Sequence, residues 1–272
     1  MTSATAFAQG DAQRGAYLAK AGGCVGCHTE ATKDAVPFAG GRAIESPFGT
    51  FYGPNITPHP TAGIGSWKED DFVRAMRHGK RPDGAHYYPS FPYASFTLIT
   101  DVDLRDLWAY LRTFPSSDRA NRKHDLSFPF GWRPLLAAWK WLYFTPGPFS
   151  PDPARSAQLN RGAYLVTALG HCGECHTPRN FLGAPEADRF LAGGEMGGKR
   201  IPNLTPTRLK KWGDEELKEF LVSGLTPDGD AASEMMEEVI RNTTSKLTPA
   251  DLQAMIAYLR SLPPLADEPK DN

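Results

Sequence analysis

The stretch CVGCH, Cys24 to His28, returns as CGECH, Cys172 to His176, and these two stretches contain every cysteine of the chain. In each stretch two thiols lie one helical turn apart, and a histidine directly follows the second thiol. This spacing is the attachment signature of c-type heme. The two thiols add to the vinyl groups on one edge of the porphyrin, and the adjacent histidine then lies beneath the iron as an axial ligand.

We therefore predict two covalently attached heme c groups, each held by two thioethers and one histidine. The thioether residues are Cys24, Cys27, Cys172 and Cys175, and the histidine ligands are His28 and His176. Three alternatives are weaker. A four-cysteine zinc site would leave both histidines unused. A thioredoxin-like redox pair needs a βαβ context that the chain lacks. Disulfides would have to join close neighbours within a motif or cross-pair two distant motifs.

The composition is that of a globular chain with many turns. The 272 residues carry a formal charge of -1, so no overall excess of charge points to nucleic acid or an anionic membrane as a partner. Gly (26) and Pro (24) are abundant, but 40% of the residues are hydrophobic, which excludes a disordered or collagenous chain. No apolar run reaches the roughly 18 residues that a spanning helix needs.

The chain is also an internal repeat, in which three pairs of segments match. RGAYLAKAGGCVGCHTE, from Arg14, matches RGAYLVTALGHCGECHTP, from Arg161; PNITP, from Pro54, matches PNLTP, from Pro202; TDVDLRDLWAYLRTFP, from Thr100, matches TPADLQAMIAYLRSLP, from Thr248. Each half therefore begins with a short helix that leads into the cysteine motif, continues through a Gly/Pro loop and a middle helix, and closes with an amphipathic helix.

The helix boundaries follow from capping residues and apolar faces. The first helices are predicted at 15–21 and 162–169, and the closing helices start at Thr100 and Thr248, each followed three residues later by Asp103 or Asp251. The middle helix of each half has one apolar face. These faces consist of Phe72, Ala75 and Met76 in the first half and of Leu217, Phe220 and Leu221 in the second.

Both halves resemble class I cytochrome c domains, and the whole chain resembles the cytochrome c subunits of membrane-associated alcohol, aldehyde and gluconate dehydrogenases. The residues that carry this resemblance are RGAYL, CHTPRN, NITP with GIGSW, FPFGWRPLLAAWK and the closing helices, over about residues 10–265. Those subunits carry three heme domains, whereas this chain has two. The resemblance implies an all-α fold of two tandem cytochrome c-like domains. It also implies electron transfer from a periplasmic oxidation toward quinone or a terminal oxidase, with no substrate chemistry in this chain.

We expect the following domain boundaries: a residual export signal or flexible tail at 1–9, the first cytochrome c domain at 10–116, a Trp/Pro-rich linker at 117–156, the second domain at 157–265, and a tail at 266–272. Ala6-Phe7-Ala8 resembles the small-residue end of a secretory signal, but the charged and apolar parts of such a signal are missing. Because heme attachment requires an export-linked compartment, we expect a periplasmic protein with a truncated signal, peripheral to the inner membrane.

The second half offers two methionines as the distal iron ligand. Such cytochromes place a methionine sulfur on the loop before the closing helix, where it favours Fe(II) and raises the potential. Here that loop contains Met235 and Met236, and the family's Met-x-Glu-Val pattern matches Met236. We predict ligation by Met236, with Met235 as the alternative.

The first half lacks this methionine, because the family's YPxMPY appears as YPSFPY with Phe91 at the ligand position. A phenyl ring cannot ligate iron. Another side chain therefore reaches the iron, or water fills the position, or the iron is five-coordinate. His86, on the same loop, is the first candidate, and bis-histidine ligation through His28 and His86 predicts a first heme of lower potential than the second. Met76 fits core packing better.

The segment FPFGWRPLLAAWKWLYFTPGPFSPDP between the halves has an apolar helical face, formed by Trp132, Leu135, Leu136, Trp139 and Leu142. It is too short to span a bilayer. It acts either as a strap that fills the groove between the domains or, in residues 132–144, as a peripheral membrane anchor or a docking face for a dehydrogenase.

The main functional hypothesis is a periplasmic diheme electron carrier between a dehydrogenase or other donor and the respiratory chain, with another cytochrome or an oxidase as a further partner and no catalytic residues. Two alternatives follow from Phe91. An open first heme could act as a redox enzyme on a small substrate such as peroxide, nitrite or a sulfur compound, or it could capture a small gas as a sensor.

Overall fold

The computed structural model describes residues 10–267, so the predicted tail at 1–9 and residues 268–272 lie outside the description. The first half is built from short helices and one β-hairpin. Its elements are, in order, α1 (Ala12–Ala21), α2 (Cys24–His28), β1 (Ala43–Ser46), β2 (Gly49–Tyr52), α3 (Glu69–His78), α4 (Tyr93–Phe96) and α5 (Asp101–Leu111). β1 and β2 pair antiparallel, with Ala43 opposite Tyr52.

Residues 117–147 lie mainly against the first half, and residues 152–156 contact the second half at Asn160 and Tyr258. They contain β3 (Asp125–Leu126), which pairs antiparallel with β2 and completes a three-stranded sheet in the order β1-β2-β3, and α6 (Pro134–Tyr143). Leu136 of α6 packs with Phe51 and Tyr88 in a small separate cluster. The indole Nε1 of Trp139 donates to a carbonyl of the second half, at Leu182, over 3.0 Å.

The second half repeats the order of the first with more helical turns. After α7 (Ala157–Tyr164) the chain continues through a π-helical turn (Leu165–Leu169), α8 (Gly173–His176), a 3-10 turn (Ala187–Arg189), β4 (Gly194–Met196), β5 (Lys199–Ile201), α9 (Pro206–Leu209), α10 (Asp214–Ser223), α11 (Glu234–Asn242), a second 3-10 turn (Thr244–Lys246) and α12 (Pro249–Ser261). The predicted helix at 162–169 is therefore part α-helix and part π-helix.

The expectation of an all-α fold needs one correction, because each Gly/Pro loop after a cysteine motif contains a β-hairpin. β4 and β5 pair antiparallel around Gly197 and Gly198, which have φ angles of 59° and 71°. Two successive positive φ angles form the type I′ turn that matches the twist of a two-stranded ribbon, and glycine adopts them without strain. The protein is thus helix-rich with two small sheets.

Helix caps and buried faces follow the sequence closely. The Thr100 and Thr248 hydroxyls accept hydrogen bonds from the backbone N–H groups of Asp103 and Asp251, so both predicted caps are confirmed. Met76 is 6% exposed within the core, as expected for a packing residue. No helix among the described residues is long and apolar enough to cross a membrane.

Within each half, the first and the closing helix cross with a glycine at the point of contact. A Cβ atom added to Gly15 of α1 would lie 2.0 Å from the carbonyl oxygen of Asp106 in α5, and one added to Gly162 of α7 would lie 1.9 Å from that of Ala254 in α12. Because no side chain fits at that distance, these glycines allow the two backbones to touch.

The two halves join through a pair of equivalent hydrogen-bond networks. The hydroxyl of Tyr17 donates to the Asp251 carboxylate over 2.5 Å, and that of Tyr164 donates to the Asp103 carboxylate over 2.6 Å. Each tyrosine oxygen also accepts a 3.2 Å hydrogen bond from the backbone N–H of the threonine that caps the same closing helix. Each half thus contributes the tyrosine of its first helix to the closing helix of the other, in a pseudo-twofold arrangement.

The shared carboxylates are also held from within their own halves. Arg14 forms an ion pair with Asp103 at 2.6 Å, and Arg161 forms one with Asp251 at 2.7 Å. Burial alone would raise the pKa of the Asp251 carboxyl, but the hydrogen bonds from Arg161 and Tyr17 outweigh burial and hold that pKa below its ordinary value. One continuous core, with Leu18 and Leu104 from the first half and Leu165 and Leu252 from the second, lies beneath this interface.

Candidate heme sites

Both cysteine motifs form short helices that present two free thiols. Cys24 and Cys27 lie on α2, whereas Cys172 precedes α8 and Cys175 lies on it; none of the four is in a disulfide. Within the described residues, no group of three or more histidine, cysteine or acidic side chains is arranged to hold a metal ion. The four cysteines are therefore not gathered into one group.

The histidine of each motif is oriented by a backbone carbonyl on the PNITP or PNLTP loop. The Nδ1 atom of His28 lies 2.8 Å from the Pro54 oxygen, and that of His176 lies 2.7 Å from the Pro202 oxygen. If Nδ1–H donates to this carbonyl, the Nε2 lone pair is left for a metal, which is the arrangement common to metal-ligating histidines. Burial lowers the pKa of both imidazoles, and the carbonyl contact partly opposes it.

The pKa values of all four motif thiols are raised, so the thiols are protonated near pH 7. Burial raises the pKa of both Cys24 and Cys172 to about 12, with a smaller contribution from the neighbouring cysteine of each motif. The donor set in each half is therefore two free thiols one turn apart and an oriented imidazole. This set fits a heme c group bound by two thioethers and one axial histidine.

Phe91 and Met236 occupy corresponding positions in the two halves. Gly79 and Gly224 end α3 and α10 in the left-handed conformation. The next residue of each half begins an isolated bridge, Lys80 to His86 in the first and Leu225 to Ala231 in the second. Phe91 comes five residues after His86, and Met236 comes five residues after Ala231. This correspondence favours Met236 over Met235 as the distal residue.

The orientation of α11 separates its two methionines in the same way. Met235 is 38% exposed and lies on the same side as the exposed Val239, one turn later. Met236 is half-buried and lies one turn before Ile240, which is 3% exposed. Since residues four apart share a helix face, Met236 belongs to the inward face of α11 and Met235 to the outward face.

Phe91 lies among other aromatic rings. Its ring centroid is 5.2 Å from that of Tyr87 and 5.8 Å from that of Phe96, and Phe96 in turn lies 5.3 Å from the His171 ring, next to the second cysteine motif. The loop YPSFPY therefore keeps a packed aromatic side chain at the position where the second half has a thioether.

His86 lies five residues before Phe91 and forms the isolated β-bridge with Lys80. Its backbone carbonyl accepts a 2.7 Å hydrogen bond from Arg133, and its side-chain Nδ1 is buried with no hydrogen-bond partner in the described part of the chain. Burial, and then the positive charges of Lys140 and Lys80, lower the pKa of His86. The imidazole is therefore neutral near pH 7, which is the form that ligates metals.

The interface brings each cysteine motif against the distal loop of the other half. Glu174, within CGECH, accepts a 2.7 Å hydrogen bond from the Ser95 hydroxyl, and Arg42 forms a 2.6 Å ion pair with Glu238 of α11. The pKa of Cys175 is raised by burial and then by the nearby Glu174 carboxylate. Contacts across the interface thus join the two donor sets.

Two positioning features were not anticipated from the sequence. The prolines that orient the histidines, Pro54 and Pro202, belong to repeated segments, so the repetition itself was a signal of their importance. The tyrosines of RGAYL, Tyr17 and Tyr164, were recognised as repeated, but their partners lie in the opposite half and could not be assigned without the fold.

Together, the fold and the paired donor sets define a c-type cytochrome with two heme sites. The cytochrome c family model matches residues 12–115 and 159–263, and the chain belongs to this family. A "Diheme cytochrome c-type" protein of Cereibacter sphaeroides is 46% identical over 264 residues, which are 93% of this chain and 86% of that one. The protein accordingly carries two covalently bound heme c groups.

Two further relatives are named as dehydrogenase subunits. The fructose dehydrogenase cytochrome subunit of Gluconobacter japonicus is 43% identical over 259 residues, covering 93% of this chain and 53% of that one. The cytochrome c subunit of the quinone alcohol dehydrogenase of Komagataeibacter europaeus is 39% identical over 266 residues, with coverage of 93% and 56%. The chain therefore spans about half the length of each of these subunits.

Proposed function

We propose that the protein is a periplasmic diheme cytochrome c that passes electrons from a dehydrogenase, or another donor, toward the respiratory chain. The observation that carries this proposal is the packing of two heme-binding donor sets against each other's halves, through the Ser95–Glu174 and Arg42–Glu238 contacts, which gives one chain two adjoining redox sites. The relatives named as cytochrome subunits of fructose and alcohol dehydrogenases support a dehydrogenase as the donor.

In this proposal the residues of each half share the work of holding one heme. The thioethers form at Cys24 and Cys27 in the first half and at Cys172 and Cys175 in the second. His28 and His176 would each ligate one iron, with Nδ1 held by the Pro54 and Pro202 carbonyls. Met236 would be a further ligand of the second iron, and His86 of the first.

A bound heme c supplies a reversible one-electron Fe(III)/Fe(II) couple. The side chains tune this couple by ligand type and by burial, because a thioether favours Fe(II) and a second imidazole gives a lower potential. Phe91 in place of a methionine therefore makes the two halves unequal. We propose that the first site has the lower potential and that electrons pass from the first half to the second.

An open first heme is the second candidate, and Phe91 at the position of Met236 is the observation that favours it. In that case the first heme binds a small ligand, as an enzyme or a sensor. The Nδ1 of His86 is buried with no partner among the described residues, which leaves its lone pair for a metal, and this supports ligation by His86 instead.

The test is a low-temperature EPR spectrum of the oxidised, heme-loaded protein, compared with its His86→Ala variant. The proposal expects one bis-histidine signal and one histidine–methionine signal, with the bis-histidine signal lost in the variant. His59→Ala, a loop histidine that bonds to the neighbouring backbone N–H of Ala62, is the matched control and should change neither signal.

A high-spin signal in the unsubstituted protein, together with cyanide binding that His86→Ala leaves unchanged, would support the open site and reject His86. Phe91→Met should introduce a competing thioether and raise the first potential. Intact-mass measurement should find two hemes per chain; one heme would reject the diheme assignment as a whole.

A further inference from the structure

The helix α6 has its polarity reversed relative to an ordinary surface helix. Its sequence is PLLAAWKWLY, and its one charged side chain, Lys140, is 7% exposed, whereas Trp141 is 84% and Leu142 56% exposed. A solvated surface helix buries its apolar stripe and exposes its charges. The outward face of α6 therefore requires an apolar medium or partner.

The exposed aromatic side chains of the described chain are concentrated around this helix. Residues 128–143 and the adjoining loop at 181–182, which accepts the hydrogen bond from Trp139, form one region that we call the aromatic face. It includes all the aromatic residues among the exposed large hydrophobic side chains of residues 10–267: Phe128, Phe130, Trp132, Trp141, Tyr143 and Phe181. Exposed apolar surface of this extent marks an interaction site.

An open cavity of about 550 Å³ lies beside Trp141 on the same side of the molecule. Four basic side chains line it, and its other lining residues are apolar: the basic ones are Arg74, His78, Lys80 and Lys140. Within residues 10–267 no carboxylate lines it; Arg74 forms an ion pair with Asp71, one turn earlier on α3, at 3.6 Å.

Lys140 points inward from α6, and its side chain lines this cavity. Its ammonium group donates to the His78 and Gly79 carbonyls at the end of α3. Burial, and then the charge of Lys80, lower the pKa of Lys140 to about 8. Burial lowers the pKa of His78, and nearby positive charges lower it further: those of Lys140, Arg77, Lys80 and Arg74. An anion in the cavity would relieve this repulsion.

We propose that the aromatic face and this basic cavity together form a docking site for an anionic membrane surface, in which a phospholipid phosphate enters the cavity while Trp141 and Leu142 enter the interface. Tryptophan, tyrosine and aliphatic side chains beside basic residues are the combination that binds membrane interfaces. This inference rests on the proposed function and adds to it the membrane surface at which the cytochrome would act.

Charge complementarity favours a lipid over an acidic protein surface. The stretch from Ser127 to Pro151 contains no Asp or Glu, so the aromatic face presents no group that an anionic bilayer would repel. The basic groups also lie beside the most exposed tryptophan rather than in a ring around the apolar area. A protein interface typically has a polar rim around an apolar centre, whereas a bilayer needs the apolar side chains to enter beneath the phosphates.

The experiment is vesicle flotation of the oxidised, heme-loaded full chain, with phosphatidylcholine vesicles and with vesicles that also contain phosphatidylglycerol. We expect binding to the anionic vesicles that weakens as salt increases. Lys80→Gln should reduce binding to the anionic vesicles about fivefold, as expected for one interfacial charge. Lys33→Gln, an exposed lysine elsewhere, is the matched control and should leave binding unchanged.

Trp141→Asp tests the apolar part of the site, with Val36→Asp, another exposed apolar position, as its control. The first variant should lose binding about tenfold or more, and the second should not. Absence of flotation with any vesicle, or equal binding by Lys80→Gln and the unsubstituted chain, overturns the proposal. So does a Trp141→Asp variant that floats normally but no longer co-purifies with a dehydrogenase, because the face then belongs to a protein partner.

This experiment does not depend on electron transfer. A protein that binds vesicles but has two identical EPR signals keeps the membrane site and loses the proposed ligand asymmetry. A protein with the expected EPR spectrum that never floats keeps the proposed function and loses this inference.

Discussion

Met236 and Phe91 stand at corresponding positions in the two halves, and we propose that the side chain at this position decides the second ligand of each heme iron. Met236→Ala should remove the charge-transfer band of a Met-ligated heme and should lower the second potential. The shift should fall well inside the ~0.8 V range over which axial ligands set heme potentials. Potentiometry with optical detection measures both effects.

Met235→Ala is the matched control, because Met235 is the adjacent residue of the same type on the exposed face of α11. It should leave the band and both potentials in place. If Met235→Ala produces the loss and Met236→Ala does not, the correspondence between the two distal loops is offset by one residue.

At the residue scale, the sequence predicted which side chains bind heme better than it predicted the contacts that position them. The cysteine motifs identified donor atoms, because their spacing alone matches the porphyrin edge. The role of the Pro54 and Pro202 carbonyls could not be predicted, since a backbone oxygen has no side-chain signature. The contacts of His86 depend on Arg133 and Lys140, which approach it from a distant part of the chain.

At the scale of elements, the first and closing helices of each half can cross closely because a glycine, which has no Cβ atom, lies at the point of contact. Gly162→Ala should destabilise the heme-loaded protein by about 1–3 kcal/mol, because its methyl group would overlap the backbone of α12. Thermal unfolding followed by circular dichroism, with the yield of heme-loaded protein, measures this loss.

Gly147→Ala is the control for the glycine prediction. A Cβ atom at Gly147 meets nothing within 4 Å, and its backbone N–H still donates to Thr97. The change should therefore leave the melting temperature nearly unaltered or raise it slightly. An equal loss of stability in both variants would show that close packing at the helix crossing is not the cause.

The helices were predictable because their apolar spacing and their Thr caps are local signals. The hairpins were not, because their strands are only three or four residues long and give no clear alternating pattern. Their turns also differ, Pro47–Phe48 in the first hairpin and Gly197–Gly198 in the second. The orientation of α6 was the least predictable feature. Its apolar residues indicated a helical face, but only the fold shows that Lys140 points inward.

At the scale of the whole molecule, two equivalent networks hold the halves together. Tyr164→Phe should lower stability by about 1–3 kcal/mol, because the buried Asp103 carboxylate loses a hydrogen-bond donor. Tyr17→Phe should do the same through Asp251, and Tyr143→Phe, at an exposed tyrosine, should have little effect. Chemical unfolding of the heme-loaded protein measures the three variants.

If the interface acts as one unit, the double variant Tyr17→Phe with Tyr164→Phe should lose more or less than the sum of the single losses. Strict additivity would mean that the two networks act independently, despite their symmetry.

The interface should also weaken in acid. A carboxyl whose pKa is lower in the folded than in the unfolded chain contributes stability above its ordinary pKa of 3.8, and that contribution disappears as the pH falls through the folded value. We expect stability to fall as the pH decreases below about 4, and Asp251→Asn to flatten this dependence. Asp228→Asn, at an exposed loop carboxyl, should not. Melting temperatures across this pH range provide the comparison.

The repeated segments predicted two similar halves, but not how they meet. Tyr17 and Asp251 are 234 positions apart in sequence, and the conserved order of elements within each half is compatible with many arrangements of the two. Only the reciprocal placement of the two tyrosines reveals a pseudo-twofold axis.

That axis has a consequence for the origin of the chain. An isologous contact of this kind is the one that two copies of a single-heme protein would form as a dimer, but identical subunits about a true twofold axis must have identical redox sites. In such a dimer an electron passes between two sites of equal potential. Joining the copies in one polypeptide removes the constraint, so that one half can keep Met236 while the other acquires Phe91. With the ligands that we propose, the two sites of the pair then differ in potential.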